Sequence, residues 1–146
     1  MGSFELRCEI TIDAMPEQVW DVLADFTGYP DWNPLVRSLA GGRTVGSKLR
    51  ARFEPFPKRG LRTTLTLSDS SPPRRLAWRG GVKGLLAGEH YFELIPTDGG
   101  TRLLNVETFE GVASAIVGPV IRKSLPQYER LNTALKERVE ARVRRG

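Results

Sequence analysis

The chain has very few of the residues that cross-link a small protein or bind a metal. Its 146 residues include one cysteine, Cys8, and one histidine, His90. A single cysteine cannot form an internal disulfide or a Cys-based metal site. We expect Cys8 to be buried on the first strand and unreactive. The sequence therefore predicts a fold held by its apolar core, without a disulfide or a Cys-based metal site.

Long apolar runs are also missing. No stretch of about 18 apolar residues is present, so we expect no membrane insertion. No apolar signal segment precedes the first predicted strand, which makes a cytoplasmic location the default expectation. The net charge is +5, but the basic residues are scattered, with no zinc-finger spacing and no RNA-binding signature. A solvated surface is therefore favoured over a nucleic-acid partner.

Two catalytic signatures are absent as well. No GxSxG-type nucleophile turn occurs, and the Gly-Gly steps lack the spacing of a phosphate-binding loop. What remains is an ordinary globular composition, with 40% hydrophobic and 27% charged residues. No linker, repeat or low-complexity tract divides the chain, so we predict one domain over residues 1–146.

Hydrophobic periodicity predicts a mixture of strands and helices. Period-two alternation indicates a first strand at 4–12, and helical spacing follows at 16–25, with Asp13 as a possible N-cap. A long helix of about 25 residues is predicted near the C-terminus. Pro119 could start this helix, and Pro126 should kink or break it. Further strands are predicted at 35–40, 48–56, 61–67 and 74–79, with a glycine-containing connection at 80–88.

The stretch from His90 to Gly111 predicts a β-hairpin. Its flanks alternate around a turn at 97–100, which holds residues that tolerate turn dihedrals. If Pro96 lies opposite Thr101, His90 faces Glu107 and Phe92 faces Asn105, all on one face of the sheet. A lone histidine opposite a glutamate is either a buried structural pair or an acid/base pair in a pocket.

Taken together, the elements predict an α+β fold, with helices laid on one face of a curved antiparallel sheet of about seven strands. The chain resembles the START-like helix-grip superfamily (SRPBCC), in its polyketide cyclase/dehydrase branch. The motifs that carry the resemblance are Pro16-Glu17-Gln18-Val19-Trp20, Phe26-x-x-Tyr29-Pro30-x-Trp32-Asn33-Pro34, His90-x-Phe92-x-Leu94, Gly100-Thr101-x-Leu103, Glu107-x-Phe109-x-Gly111 and Asn132-x-x-Leu135-Lys136-x-x-Val139-Glu140.

The resemblance implies a deep, largely apolar cavity for a small hydrophobic or aromatic ligand, without metal or nucleotide. His90 is the candidate general acid/base and Glu107 its orienting partner. The residues expected to contact the ligand are Trp78, Phe92, Phe53, Phe109, Asn105 and Tyr128. A purely structural role is the alternative for each of them, because aromatic walls also suit a plain core.

Other residues carry weaker expectations. The segment 80–88 could form a lid over the cavity, or it could be an ordinary loop whose leucines pack inward. Arg50 and Arg52 are expected to be solvated, unless an inverted register turns one toward a ligand carboxylate. Structural roles are expected for three further residues: Trp20 and Trp32 as packing residues, and Asn33 as a turn former.

Three functions follow from this pattern. The first is cofactor-free cyclisation or dehydration of a polyketide-like substrate by general acid/base chemistry. The second is a non-catalytic carrier or sensor of a hydrophobic ligand. The third is a co-chaperone that binds through its surface, which predicts a filled interior and a large exposed apolar patch. The chain is expected to be a monomer or a homodimer.

Overall fold

The computed structural model describes residues 2–146, which contain seven strands in one antiparallel sheet. The spatial order of the strands is β1-β7-β6-β5-β4-β3-β2, so the first strand lies beside the last. The strands are β1 (Ser3–Ile12), β2 (Val36–Gly41), β3 (Lys48–Phe56), β4 (Arg59–Ser71), β5 (Arg75–Val82), β6 (Leu86–Thr97) and β7 (Gly100–Glu110).

Three α-helices in the described part of the chain complete the fold. They are α1 (Pro16–Leu23), α2 (Ser114–Arg122) and α3 (Leu125–Arg145), and a short 3-10 turn (Phe26–Asp31) follows α1. None of the helices in residues 2–146 is both long and apolar enough to cross a membrane.

The long helix α3 packs its apolar stripe on the inner face of the sheet. Tyr128, Leu131, Leu135 and Val139 recur at helical spacing and are buried in one core with the inward-facing residues of the strands. A bent sheet that holds a long C-terminal helix is the helix-grip arrangement. The predicted fold class is thereby confirmed.

The predicted hairpin register is also confirmed. Pro96 pairs with Thr101, Phe92 with Asn105 and His90 with Glu107. The turn places Gly99 at a φ of +87°, a left-handed conformation that costs glycine little. Because side chains alternate along each strand, this register directs His90, Phe92, Asn105 and Glu107 to the inner face.

The start of α1 differs from the prediction. Met15, and not Asp13, is the N-cap, and its backbone N–H donates to the Gln18 side chain at 2.8 Å. The Asp13 backbone N–H instead donates to Glu140 Oε2 on α3. The helix ends at Leu23, two residues earlier than predicted.

The C-terminal helical region is two helices. Pro119 lies inside α2 and does not start it, so that prediction is wrong. The predicted break is confirmed, because α2 ends at Arg122 and Pro126 occupies the first turn of α3. Proline fits there, since the first turn has no intrahelical acceptor for its missing N–H.

The segment 80–88 is a hairpin and not a lid loop. Gly80–Val82 end β5 and pair with Leu86–Gly88, which begin β6. Only residues 83–85 turn between the two strands. The tip side chains Val82 and Leu85 are exposed, while Leu86 is partly buried.

Candidate functional site

A cavity of about 230 Å³ lies on the inner face of the sheet and reaches the surface near Leu61. Its walls are mostly aliphatic and aromatic side chains from β2 to β7. Two of the lining side chains, His90 and Glu107, are titratable. The lining residues are Val36, Ala51, Phe53, Leu61, Thr63, Leu65, Trp78, Gly80, Gly81, Leu86, Ala87, Gly88, His90, Glu107 and Phe109.

Two glycines make room for this cavity. Gly80 on β5 pairs with Gly88 on β6, and the pair formed by Trp78 and His90 lies two positions along the same strands. A Cβ at Gly88 would lie 3.2 Å from Glu107 Oε2, and a Cβ at Gly80 would lie 2.6 Å from the tip of the Leu65 side chain. The missing side chain of Gly88 thus leaves space directly beside the Glu107 carboxyl group.

Glu107 is the polar group most suited to exchange a proton. Its side chain is 16% exposed, and Oε1 accepts a hydrogen bond of 2.7 Å from the Tyr128 hydroxyl. Burial raises the pKa of Glu107 to about 7, although the Tyr128 hydrogen bond acts in the opposite direction. Both the acid and the carboxylate are therefore populated near neutral pH.

His90 is fully buried, and its tautomer follows from its neighbours. The Asn105 amide nitrogen donates to Asn132 Oδ1 at 2.9 Å and to the Tyr128 carbonyl at 3.3 Å, so Asn105 Oδ1 must accept. His90 Nε2 lies 2.6 Å from that oxygen and therefore carries the hydrogen. The lone pair of the neutral ring is then on Nδ1, which lies 3.7 Å from Glu107 Oε1.

The charge state of His90 follows from its burial. Burial lowers the pKa of His90 to about 4, and the Asn105 hydrogen bond only partly offsets this effect. The ring is neutral at pH 7. His90 Nδ1 and Glu107 Oε1 are 3.7 Å apart, which is too far for a hydrogen bond. Glu107 therefore does not orient the imidazole ring as expected, and Asn105 orients it instead.

The polar network continues to the first strand. The Asn132 amide nitrogen lies 3.2 Å from the sulfur of Cys8. Burial raises the pKa of the Cys8 thiol to about 12, which keeps it protonated. Cys8 packs against the core as expected, but it is only partly buried. The chain of contacts links β1, α3, β7 and β6.

The predicted contact residues divide into two groups. Trp78, Phe53 and Phe109 border the cavity together with His90 and Glu107. Phe92, Asn105 and Tyr128 are buried beside the cavity and are not part of its wall. The ring centroids of Phe92 and His90 are 4.6 Å apart, so Phe92 packs against the imidazole ring.

The structure also shows where the residues with weaker expectations lie. Arg50 and Arg52 lie on the outer face, as expected from the alternation along β3. Asn33 is buried and accepts the backbone N–H groups of Leu35 and Val36 through its Oδ1, so it forms the turn. Trp20 and Trp32 pack against the core.

Sequence reasoning missed Asn132 and the pair Gly80–Gly88 as parts of the site. Asn132 follows Tyr128 by four residues and thus shares its buried helix face, where a polar side chain needs a partner. The two glycines belong to the segment 80–88, which the sequence predicts as a glycine-containing connection. In residues 2–146, no group of three or more His, Cys, Asp or Glu is arranged to hold a metal ion.

The sequence matches a family that is described as "Polyketide cyclase / dehydrase and lipid transport" over residues 3–140. No curated protein matches the sequence. The match to the family spans the elements from β1 to most of α3 and includes every residue of the site.

Solved structures share the fold. TTHA0849 from Thermus thermophilus is 22% identical, with 94% of this chain and 98% of that chain covered and a TM-score of 0.74. The Zhui aromatase/cyclase from Streptomyces sp. R1128 is 20% identical, with 97% and 96% covered and a TM-score of 0.77. Norcoclaurine synthase from Thalictrum flavum, a point mutant, is 14% identical, with 97% and 96% covered and a TM-score of 0.73.

Proposed function

The chain belongs to the polyketide cyclase/dehydrase and lipid transport family, and on that premise we propose that it cyclises or dehydrates a small, ring-containing molecule without a cofactor. The observation that carries the proposal is the Glu107 carboxyl group, which faces an apolar cavity with a pKa raised to about 7. A carboxyl group of this kind can give and take a proton at neutral pH.

The cavity supports a compact ligand. Its volume of about 230 Å³ is below the range of roughly 300–1,000 Å³ that is typical of drug-sized ligands. One or two fused rings would fill it, with their flat faces against Trp78, Phe53 or Phe109. A long acyl chain would need more space.

Glu107 and His90 would share the chemistry. In its carboxylate form, Glu107 takes a proton from the carbon beside a carbonyl group, which gives an enolate. In its acid form, it protonates a hydroxyl group that leaves as water. The Nδ1 lone pair of His90, held in place by Asn105, accepts a hydrogen bond from a ligand hydroxyl. Tyr128 holds Oε1, so Oε2 is the oxygen free to act.

A carrier or sensor is the second candidate, and one observation favours it. His90 Nε2 and the side-chain amides of Asn105 and Asn132 form hydrogen bonds with one another and so cannot bind a ligand through those atoms. A structural network satisfies buried polar groups in this way. A carrier would use the same cavity and hold its ligand without proton transfer. A co-chaperone of the kind expected from sequence fits less well, because the interior contains a cavity.

The first experiment is native mass spectrometry of the purified protein, followed by extraction and identification of any bound compound. Turnover of that compound is then compared between the wild type, Glu107→Gln and Glu110→Gln. Glu110 is three residues away on the same strand and exposed, so it is the matched control. We expect Glu107→Gln to lose at least about a hundredfold in rate and Glu110→Gln to keep the wild-type rate.

The alternative outcomes separate the candidates. If Glu107→Gln keeps both binding and turnover, the acid/base role is wrong. Tight binding with no chemical change in the bound compound supports the carrier. His90→Ala tests the histidine in the same assay, where unchanged binding and turnover contradict its role. A cytoplasmic location and a monomeric or homodimeric state stay predictions.

A further inference from the structure

The exposed apolar side chains are concentrated at one end of the molecule. Among residues 2–146, eight large hydrophobic side chains are exposed, and Met15 and Val45 are the two that lie elsewhere. The other six are on the β3–β4 hairpin, the β5–β6 hairpin and the region around α2. They are Leu61, Val82, Leu85, Val112, Ile116 and Val120.

These three segments meet because the sheet is antiparallel. The end of β3, the start of β4, the end of β5, the start of β6 and the end of β7 all lie at the same end of the sheet. Backbone hydrogen bonds join two of the segments: Val112 N–H donates to the Gly84 carbonyl and Ala113 N–H to the Leu85 carbonyl. We call this end, with its six apolar side chains, the apolar tip.

The cavity opens at the apolar tip. Leu61 lines the cavity and is 55% exposed, so it belongs both to the wall and to the surface. Leu86, next to the tip residue Leu85, lines the cavity as well. Helix α2 lies over Phe4, whose ring stacks on the lining residue Phe109 at 4.9 Å.

The charge at the apolar tip has one sign. The segments 56–61, 82–86 and 111–124 contain Lys58, Arg59, Lys83, Arg122 and Lys123, and no aspartate or glutamate. Glu110, which precedes the third segment, lines a groove on the outer face of the sheet together with Glu5, Glu89 and Arg79. The opposite end of the sheet, where α1 follows β1, carries both signs of charge, because the last turn of α3 with Arg142 lies beside Asp21 there.

We propose that the apolar tip docks on the surface of an anionic lipid bilayer, with the cavity mouth facing the membrane. Aliphatic side chains flanked by lysine and arginine are the chemistry that binds the interface of an acidic membrane. Docking of this kind is interfacial, and no part of the chain crosses the bilayer. It gives a hydrophobic ligand a path between membrane and cavity that avoids water.

Charge argues against a second copy as the occupant. A symmetric dimer through this surface would bring two sets of five cations together with no carboxylate among them, which is unfavourable. The inference is independent of whether the cavity is catalytic.

The test is co-flotation of the full chain with lipid vesicles. We expect the protein to float with vesicles of phosphatidylcholine mixed with phosphatidylglycerol and not with phosphatidylcholine alone. Val112→Ser combined with Ile116→Ser should weaken binding by about tenfold or more. Lys83→Gln combined with Lys123→Gln should weaken it by about tenfold as well, and added salt should have a similar effect.

The matched controls remove the same kinds of side chain at places on the surface away from the apolar tip. Met15→Ser with Val45→Ser removes exposed apolar groups away from the tip, and Arg142→Gln with Arg145→Gln removes two charges from the far end of α3. Both control proteins should bind as the wild type does. All variants alter side chains at the surface, and circular dichroism verifies that each is folded.

Three results would overturn the proposal. The first is absence of the protein from the floated anionic vesicles, and the second is equal binding to both kinds of vesicle. The third is equal loss of binding in the tip variants and their controls. Light scattering adds a separate check: a dimer that Val112→Ser with Ile116→Ser converts to a monomer would assign the tip to self-association and reject the membrane.

Discussion

The Tyr128 hydroxyl on α3 donates a hydrogen bond of 2.7 Å to Glu107 Oε1 on β7. This bond joins the long helix to the carboxyl group at the cavity wall. It also distinguishes the two carboxyl oxygens, because Oε1 accepts the hydrogen bond from Tyr128 while Oε2 lies next to Gly88. Burial raises the pKa of Glu107, and the position of α3 on the sheet modulates it through the Tyr128 hydrogen bond, which lowers it.

Replacing Tyr128 with phenylalanine tests this control. The hydrogen bond from Tyr128 lowers the pKa of Glu107, so its removal should raise that pKa further above the usual carboxyl range. The measurement is the carboxyl signal of Glu107 in carbon NMR, followed as a function of pH. Phenylalanine keeps the ring that packs 6.3 Å from Phe53, so the core should be maintained.

Tyr91→Phe is the matched control, because Tyr91 lies on β6 next to His90 and has its ring under the Arg75 guanidinium on the outer face. It removes a hydroxyl group of the same kind that does not contact Glu107. An unchanged Glu107 titration in Tyr128→Phe would show that the hydrogen bond does not set the proton affinity.

The second prediction concerns stability as a function of pH. Glu107 has a raised pKa of about 7, so between about pH 4.5 and 7 the unfolded chain releases this proton while the folded protein keeps it. The unfolded state then binds fewer protons, and the free energy of unfolding falls as pH rises. His90 has the opposite effect between about pH 4 and 6.5, since its pKa is lowered to about 4.

Glu107→Gln should remove the fall in the free energy of unfolding that Glu107 causes as pH rises. Relative to the wild type, the variant should gain on the order of 2 kcal/mol in the free energy of unfolding as pH rises from about 5 to about 7.5. Urea unfolding at the two pH values measures the difference. Glu110→Gln, on an exposed side chain, should run parallel to the wild type, and a parallel curve for Glu107→Gln would contradict the raised pKa.

The third prediction concerns the buried amide at the centre of the network. Asn105→Ala leaves His90 Nε2–H and Asn132 Oδ1 without their partner, and both are buried. We expect a loss of about 2–4 kcal/mol in the free energy of unfolding. Chemical denaturation measures it, together with a double-mutant cycle in which Asn132→Ala is the second change.

The double-mutant cycle of Asn105→Ala and Asn132→Ala also defines the result that would contradict this prediction. If Asn105 and Asn132 act through one hydrogen bond, the double variant should lose less than the sum of the two single losses, by about 1 kcal/mol. Simple additivity would show that the two amides are not coupled and that the network is not a unit.

The hairpin was predictable because local signals were unambiguous. Alternation on both sides of a turn with Gly99 and Gly100 permits one register on the buried face, and that register placed His90 opposite Glu107. This pairing does not make a hydrogen bond between the two side chains, however. The two side chains lie 3.7 Å apart, and the imidazole bonds instead to Asn105, which lies on the neighbouring strand two residues before Glu107.

The rest of the site depends on packing between distant elements. Asn132 lies 27 residues from Asn105, and no pattern in the sequence states that α3 brings the two amides within 2.9 Å. The sequence pattern predicts a loop around the glycines at 80 and 88, because glycine is the strongest local sign of a turn. In the structure, they are strand residues whose missing side chains leave space for the cavity.

The last prediction uses that space. A Cβ at Gly88 would lie 3.2 Å from Glu107 Oε2 and 3.3 Å from the Phe109 ring, so Gly88→Ala should narrow the cavity beside the carboxyl group. We expect binding of the co-purified compound to weaken by roughly tenfold, as for a steric change of one methyl group at a pocket wall. Gly60→Ala is the control, because a Cβ there has no contact closer than 3.5 Å. Isothermal titration calorimetry measures both, and equal affinity in the wild type and Gly88→Ala would show that the ligand binds elsewhere than beside Glu107.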